Sequence, residues 1–130
     1  MSIDASTFDT ARGQYDGTAI VSRMADASTS PETTLIALSN ADLFVSIKPE
    51  WRYAFSARVT RKGAGALAVI SPARMSGPNQ RRRLLVMLGK YIALLSCGFE
   101  SSSNPRSITF DNVMGPNDLD AMDAVVCNPS

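Results

Sequence analysis

The chain contains no histidine. That one absence removes the commonest general base, the usual partner of a catalytic serine or cysteine, and the commonest transition-metal ligand. Cysteine is scarce as well. Cys97 and Cys127 have no second pair near them, which is neither a disulfide framework nor a metal-ligand spacing, so both read as spectator thiols. Gly63 and Gly65 are not followed by the further glycine and helix opening that a phosphate-binding loop requires. The serines are many, but none lies in a nucleophile-elbow pattern. Asp118, Asp120 and Asp123 are close in sequence but lack the ligand pattern of a cation site, and read as the solvated start of a helix. No apolar run approaches the roughly 18 residues that span a bilayer, and the opening MSIDASTFDT carries acid where a secretory leader carries base. These absences predict a protein that is neither secreted nor membrane-spanning. They also predict no enzymatic activity, no cofactor, no metal and no small-molecule substrate.

What is present suffices for a folded domain. The 130 residues are 45% hydrophobic and 19% charged, which fits one domain (residues 1–130) and is far from the profile of a disordered chain. The net charge of +1 conceals a segregation. Residues 41–90 hold ten Lys and Arg against Asp42 and Glu50, or +8; residues 1–40 come to two minus five, or −3, and residues 91–130 to one minus five, or −4. A basic middle between acidic ends gives the chain an electrostatic direction.

Hydrophobic periodicity then sorts the chain into elements. Thr18–Arg23 follows an Asp-Gly turn and reads as a strand, and Ala25–Pro31 as a loop. Thr33–Leu38, Leu43–Lys48, Trp51–Arg61 and Ala66–Ser71 read as further strands, the last two joined by a Lys62–Gly65 turn. Residues 79–97 differ in kind: Asn79 stands at an N-cap, Gln80–Cys97 has helical spacing, and Gly98 is placed to stop it. Leu84, Leu88, Tyr91 and Leu95 form one stripe, with Leu85, Val86 and Ile92 beside it. This arc is wider than one buried stripe needs, so either the C-terminal tail or another subunit covers the excess. Arg81, Arg82 and Arg83 occupy the first turn, the unfavourable end of the helix dipole for a cation. Arg106–Phe110 reads as a strand, Asp118–Val126 as a short helix, and the final CNPS as a tail. The expected fold is α+β: an antiparallel meander over residues 17–72, then an amphipathic helix and a short C-terminal helix within residues 79–130.

The alternation in the meander places Lys48, Arg52 and Arg58, with Ser46, Ser56 and Thr60, on the side opposite Tyr53, Phe55, Ala57 and Val59. Same-face residues on a strand repeat about every 6.7 Å, comparable with phosphate spacing along a nucleic-acid strand. Such a face would hold a phosphate backbone without reading its sequence; the plain alternative is an ordinary solvated sheet face.

The order of LFVSIKPEWRYAFSARVTRKG, then GALAVISP, then NQRRRLLVMLGKYIALLS resembles the coat proteins of single-stranded RNA bacteriophages. That resemblance covers about half the chain and is one of pattern. It implies an interlocked homodimer assembling into a capsid, found in the virion and assembled in the host cytoplasm. It implies RNA contacts on Ser46, Lys48, Arg52, Ser56, Arg58 and Thr60, and a dimer interface on Leu84, Leu85, Leu88, Tyr91, Ile92 and Leu95. A different expectation is a small non-enzymatic accessory domain that binds nucleic acid or a protein partner.

Overall fold

The structure, a computed structural model, describes residues 5–27, 34–60, 65–111 and 113–123. Of the expected loop Ala25–Pro31, residues 25–27 are helical and 28–31 lie outside the described residues, as do most of the 62–65 turn, the end of the C-terminal helix and the CNPS tail. The chain divides into two compact units, Met1–Arg74 and Met75–Ser130.

In the first unit a single 3₁₀ turn, Ala5–Thr7, precedes strands β1 (Phe8–Asp9) and β2 (Gln14–Asp16) and helix α1 (Gly17–Ala27). Strands β3 (Leu35–Leu38), β4 (Leu43–Phe44), β5 (Ser56–Val59) and β6 (Leu67–Ile70) follow. They form two three-stranded sheets, ordered β1-β2-β4 and β3-β6-β5. Each is mixed: β2 is parallel to β4 and β3 to β6, whereas β1–β2 and β5–β6 are antiparallel. The α+β class therefore holds, but the antiparallel meander does not. Parallel neighbours need a long crossover, and the chain between β2 and β4 contains α1 where a strand was expected over Thr18–Arg23.

Helix α1 forms because its apolar residues fall on one face. Gly17, Ile20, Val21 and Met24 are buried, the i, i+3, i+4, i+7 spacing of an amphipathic helix. This face meets Leu43, Val45, Ala54, Ala57, Leu67 and Val69 in the core of the unit. Strand β6 is buried along all four residues, as befits a central strand covered on both faces. Gly17 sits at the tightest approach. A Cβ there would lie 2.9 Å from the Ala57 Cβ and 3.3 Å from the Phe44 carbonyl oxygen.

The stretch expected to run as two strands over residues 43–61 is broken in the middle. After β4 the chain turns twice, the Lys48 N–H donating to Val45 O and the Trp51 N–H to Lys48 O. Side chains from β2 and the turn before it take up the carbonyls so exposed. The Arg12 guanidinium lies 4.3 Å from the Phe44 ring centroid and donates to Pro49 O (3.2 Å) and Trp51 O (2.7 Å). The Gln14 amide donates to Arg52 O at 2.9 Å. These bonds hold the segment in turns rather than in a strand ladder.

The second unit is built on helix α2 (Gln80–Leu95) and the one-and-a-half-turn helix α3 (Pro116–Ala121). Asn79 is the N-cap residue of α2, although its side chain makes no cap hydrogen bond to the helix backbone, and Gly98 follows the helix at φ +71°. Between the two helices the expected strand at Arg106–Phe110 is a set of turns with one isolated bridge, Ser102 to Phe110. The fold of this segment is closed by the Ser102 N–H donating to Thr109 O and the Asp111 N–H to Ser102 O, with Ile108 and Thr109 buried. Cys97 is disulfide-bonded, so it is not the spectator thiol expected; Cys127 lies outside the described residues.

Candidate functional site

Helix α2 carries the most unusual chemistry among the described residues. Its buried face is Val86, Met87, Lys90, Tyr91 and Ala93. The sequence places Leu84, Leu88 and Leu95 on the principal stripe, yet these are only half-buried, and Leu85 is exposed. Tyr91 alone of the six residues assigned to a dimer interface is fully buried. A cation on the inward face is costly unless it is partnered. The Lys90 ammonium donates to Phe110 O at 2.8 Å and stands 3.8 Å from an Asp111 carboxylate oxygen.

The arginines that open α2 find their compensation in α3. The Arg83 guanidinium forms a forked pair with the Asp120 carboxylate, at 2.8 Å and 2.7 Å, and donates to Met75 O and Ser76 O. Arg82 donates to Leu119 O (3.2 Å) and Met122 O (2.9 Å), carbonyls at the end of α3. The negative end of one helix dipole thus offsets the unfavourable position of these cations on the other. The Arg83 hydrogen bonds hold the Asp120 carboxyl below its ordinary range, against the opposing effect of desolvation. Asp118 accepts from the Met114 and Gly115 N–H groups, and Asp123 pairs with Arg106. The three C-terminal carboxylates are therefore each committed to a local partner.

The residues expected to form a basic face on two adjacent strands are spread over turns and one strand. Ser46, Lys48 and Arg52 lie on the turns between β4 and β5, and all three are exposed; the Lys48 ammonium is 6.0 Å from the Trp51 ring centroid. Ser56 and Arg58 lie on β5 at same-face spacing, and Thr60 just beyond it. What the first unit does assemble is a polar cluster around Asp42. Arg74 donates twice to that carboxylate, at 2.8 Å and 2.7 Å, and its guanidinium lies 5.1 Å from the Tyr53 ring centroid. Asp42 is held below its ordinary range, chiefly by the Arg74 hydrogen bonds and against desolvation. The basic stretch is therefore not a free field: Arg74, Arg82, Arg83 and Lys90 are all engaged.

Sequence reasoning gave no role to Lys90 beyond its charge. The signal lay in the periodicity: Lys90 is four residues after Val86 and next to Tyr91, on the apolar arc rather than opposite it.

No protein-family model matches this sequence, and no curated protein sequence matches it. Solved structures do match its fold. Archaemetzincin from Methanopyrus kandleri superposes with a TM-score of 0.75 at 18% identity, over 97% of this chain and 67% of that one. Archaemetzincin from Archaeoglobus fulgidus, solved in complex with malonate, gives 0.71 at 21% identity over 98% and 73%. A zinc-dependent peptidase from Methanocorpusculum labreanum gives 0.71 at 17% identity over 98% and 76%. The chain thus shares its fold with these structures, at identities that speak for the fold alone.

This likeness corrects the phage coat-protein resemblance and, with it, the capsid, the homodimer, the RNA partner and the virion location. It equally overturns the accessory-domain alternative and the expectation of a non-enzyme, since the matched structures are peptidases. The physical reason is that a missing residue type excludes particular mechanisms, whereas burial pattern and topology set the architecture.

Zinc can be tested against the residues. On a peptidase helix it is held by H-E-x-x-H, with ligands at i and i+4 on one face, extended in metzincins to H-E-x-x-H-x-x-G-x-x-H. The chain has no histidine, Cys97 is in a disulfide, and no group of three acidic or sulfur ligands gathers among the described residues. The donor set does not fit a zinc ion of that kind. For the described residues, no helix is long and apolar enough to cross a membrane.

Proposed function

We propose that this chain acts on peptides, as the peptidases whose fold it shares do, by means that do not run through a histidine-ligated zinc. The observation that supports this reading is the match to three peptidase structures over 97–98% of the chain, at TM-scores of 0.71–0.75. Binding sites for extended peptides reuse fold-level features such as sheet edges and grooves, so they outlast changes in individual side chains. The absence of histidine restricts the chemistry available without removing the scaffold.

The test is a mixed peptide library incubated with the purified protein and followed by mass spectrometry, with zinc present and with chelator present. New peptide termini appearing equally in both conditions are the expected result. A library that emerges unchanged, with no peptide depleted or cut in either condition, would remove the reading. Cleavage only with zinc would keep peptides as substrates and refute the metal-independent part.

A further inference from the structure

Four of the five inward residues of α2, all but Tyr91, coincide with the metzincin spacing in one register. Val86 and Lys90 are separated by four positions and both buried, Met87 follows the first, Ala93 stands where the motif has glycine, and Ser96 where it has the third histidine. In this register no position supplies a ring nitrogen, and the second ligand position carries an ammonium. Lys90 is 6% exposed, so its charge sits within the protein rather than beside it.

We propose that Lys90 is the built-in cation of this helix face: its ammonium holds the 102–111 segment to α2 through the Phe110 carbonyl and excludes a divalent metal from the same face. The first half rests on the 2.8 Å bond to Phe110 O, supported by Asp111 at 3.8 Å. Phe110 is the anchor point of its segment, bridged to Ser102 and donating its own N–H to Ser107 O. A bond there restrains both ends of the turn cluster at once. The second half is electrostatic. A doubly charged ion beside a buried ammonium meets like charge where water screens it poorly, and it finds no ligand atom in Val86 and only a neutral thioether, outside the Cys, His and carboxylate set that zinc takes, in Met87. In this register every ligand position of the motif carries another residue, and Lys90 puts a positive charge at one of them.

The experiment has a metal arm and an exchange arm, both on the full chain. In the first, the thermal midpoint of wild-type protein is measured with excess zinc and with chelator, and metal content is determined after dialysis. No shift and no retained zinc are expected; a midpoint raised by zinc, or one zinc retained per chain, overturns the proposal. In the second, hydrogen exchange is compared for wild type, Lys90→Met and Lys90→Arg. Lys90→Met removes a charged hydrogen bond, so amides within 102–111 should exchange about tenfold faster or more, with those of α1 and β6 unaltered. Lys90→Arg keeps the charge and should retain most of the protection and the indifference to zinc. Unchanged exchange in Lys90→Met overturns the proposal, and if that variant does not fold, zinc binding by Lys90→Arg does so instead. Neither arm measures action on peptides, so failure here and failure of the functional reading are distinguishable.

Discussion

Single residues in this protein act through contacts far from them in sequence, and Gly17 shows it most clearly. The helix and β5 approach so closely there that an added methyl would sit 2.9 Å from the Ala57 Cβ. Gly17→Ala should therefore destabilise the protein by about 1–3 kcal/mol, as overpacking does in tight cores. Adding Ala57→Gly removes the opposing methyl, so the double variant should recover part of what the single one loses beyond additivity. Urea titrations of the four proteins in this cycle provide the measurement; a Gly17→Ala midpoint equal to wild type would show that the helix can move aside. Nothing in the sequence marked this glycine as a packing residue, because the Asp-Gly pair is also a good turn signal. Which of the two uses applies depends on Ala57, forty positions later.

At the scale of elements, the legible parts were those decided by local periodicity. Helix α2 is read within two residues of its observed bounds, because sixteen residues of helical spacing between Asn79 and Gly98 leave few alternatives. Helix α1 does not show in Thr18–Arg23 alone: Thr18, Ile20 and Val21 look β-prone until Met24 completes the i, i+3, i+4, i+7 face. Strand pairing was illegible. The continuous Leu67–Ile70 run did carry the signal of a strand buried on both faces, yet nothing in it names β3 as its parallel neighbour. The arginines of α2 also take their meaning from another element. Arg83→Gln should leave α2 intact while the amides of Asn117–Met122 exchange several-fold faster, since Asp120 loses its forked pair. Exchange mass spectrometry showing α2 and α3 loosening equally would contradict this division.

For the molecule as a whole, charge is segregated along the chain but substantially matched in space. Asp120 from the acidic C-terminal third pairs with Arg83 from the basic middle, and Asp42 with Arg74. Both carboxyls are held below the ordinary value of 3.8 by their arginines. A carboxyl with a lowered folded pKa contributes stability that is complete above its unfolded value and is lost as pH falls through the folded one. Acid should thus lower the melting temperature from about pH 4.5 downward, and Asp42→Asn should flatten that decline while costing stability at pH 7. A melting profile with the same acid slope in both proteins would assign the sensitivity elsewhere. The composition revealed the segregation; the pairing that cancels it needed three dimensions, as did the peptidase-type architecture, which no motif in this sequence announces.

The bonds from Arg82 to the end of α3 bear on how the chain is made. Arg82 and Met122 are 40 residues apart. At synthesis rates of about 5–20 residues per second, the ribosome adds that interval in roughly 2–8 s. A helix forms within about a microsecond, so α2 can exist for seconds while the carbonyls that receive its arginines have yet to be translated. During that interval three adjacent guanidinium groups lie at the start of a nascent helix, within a cell rich in polyanions. Once Met122 has been added, two of the three, Arg82 and Arg83, gain the bonds that fasten α3 to α2.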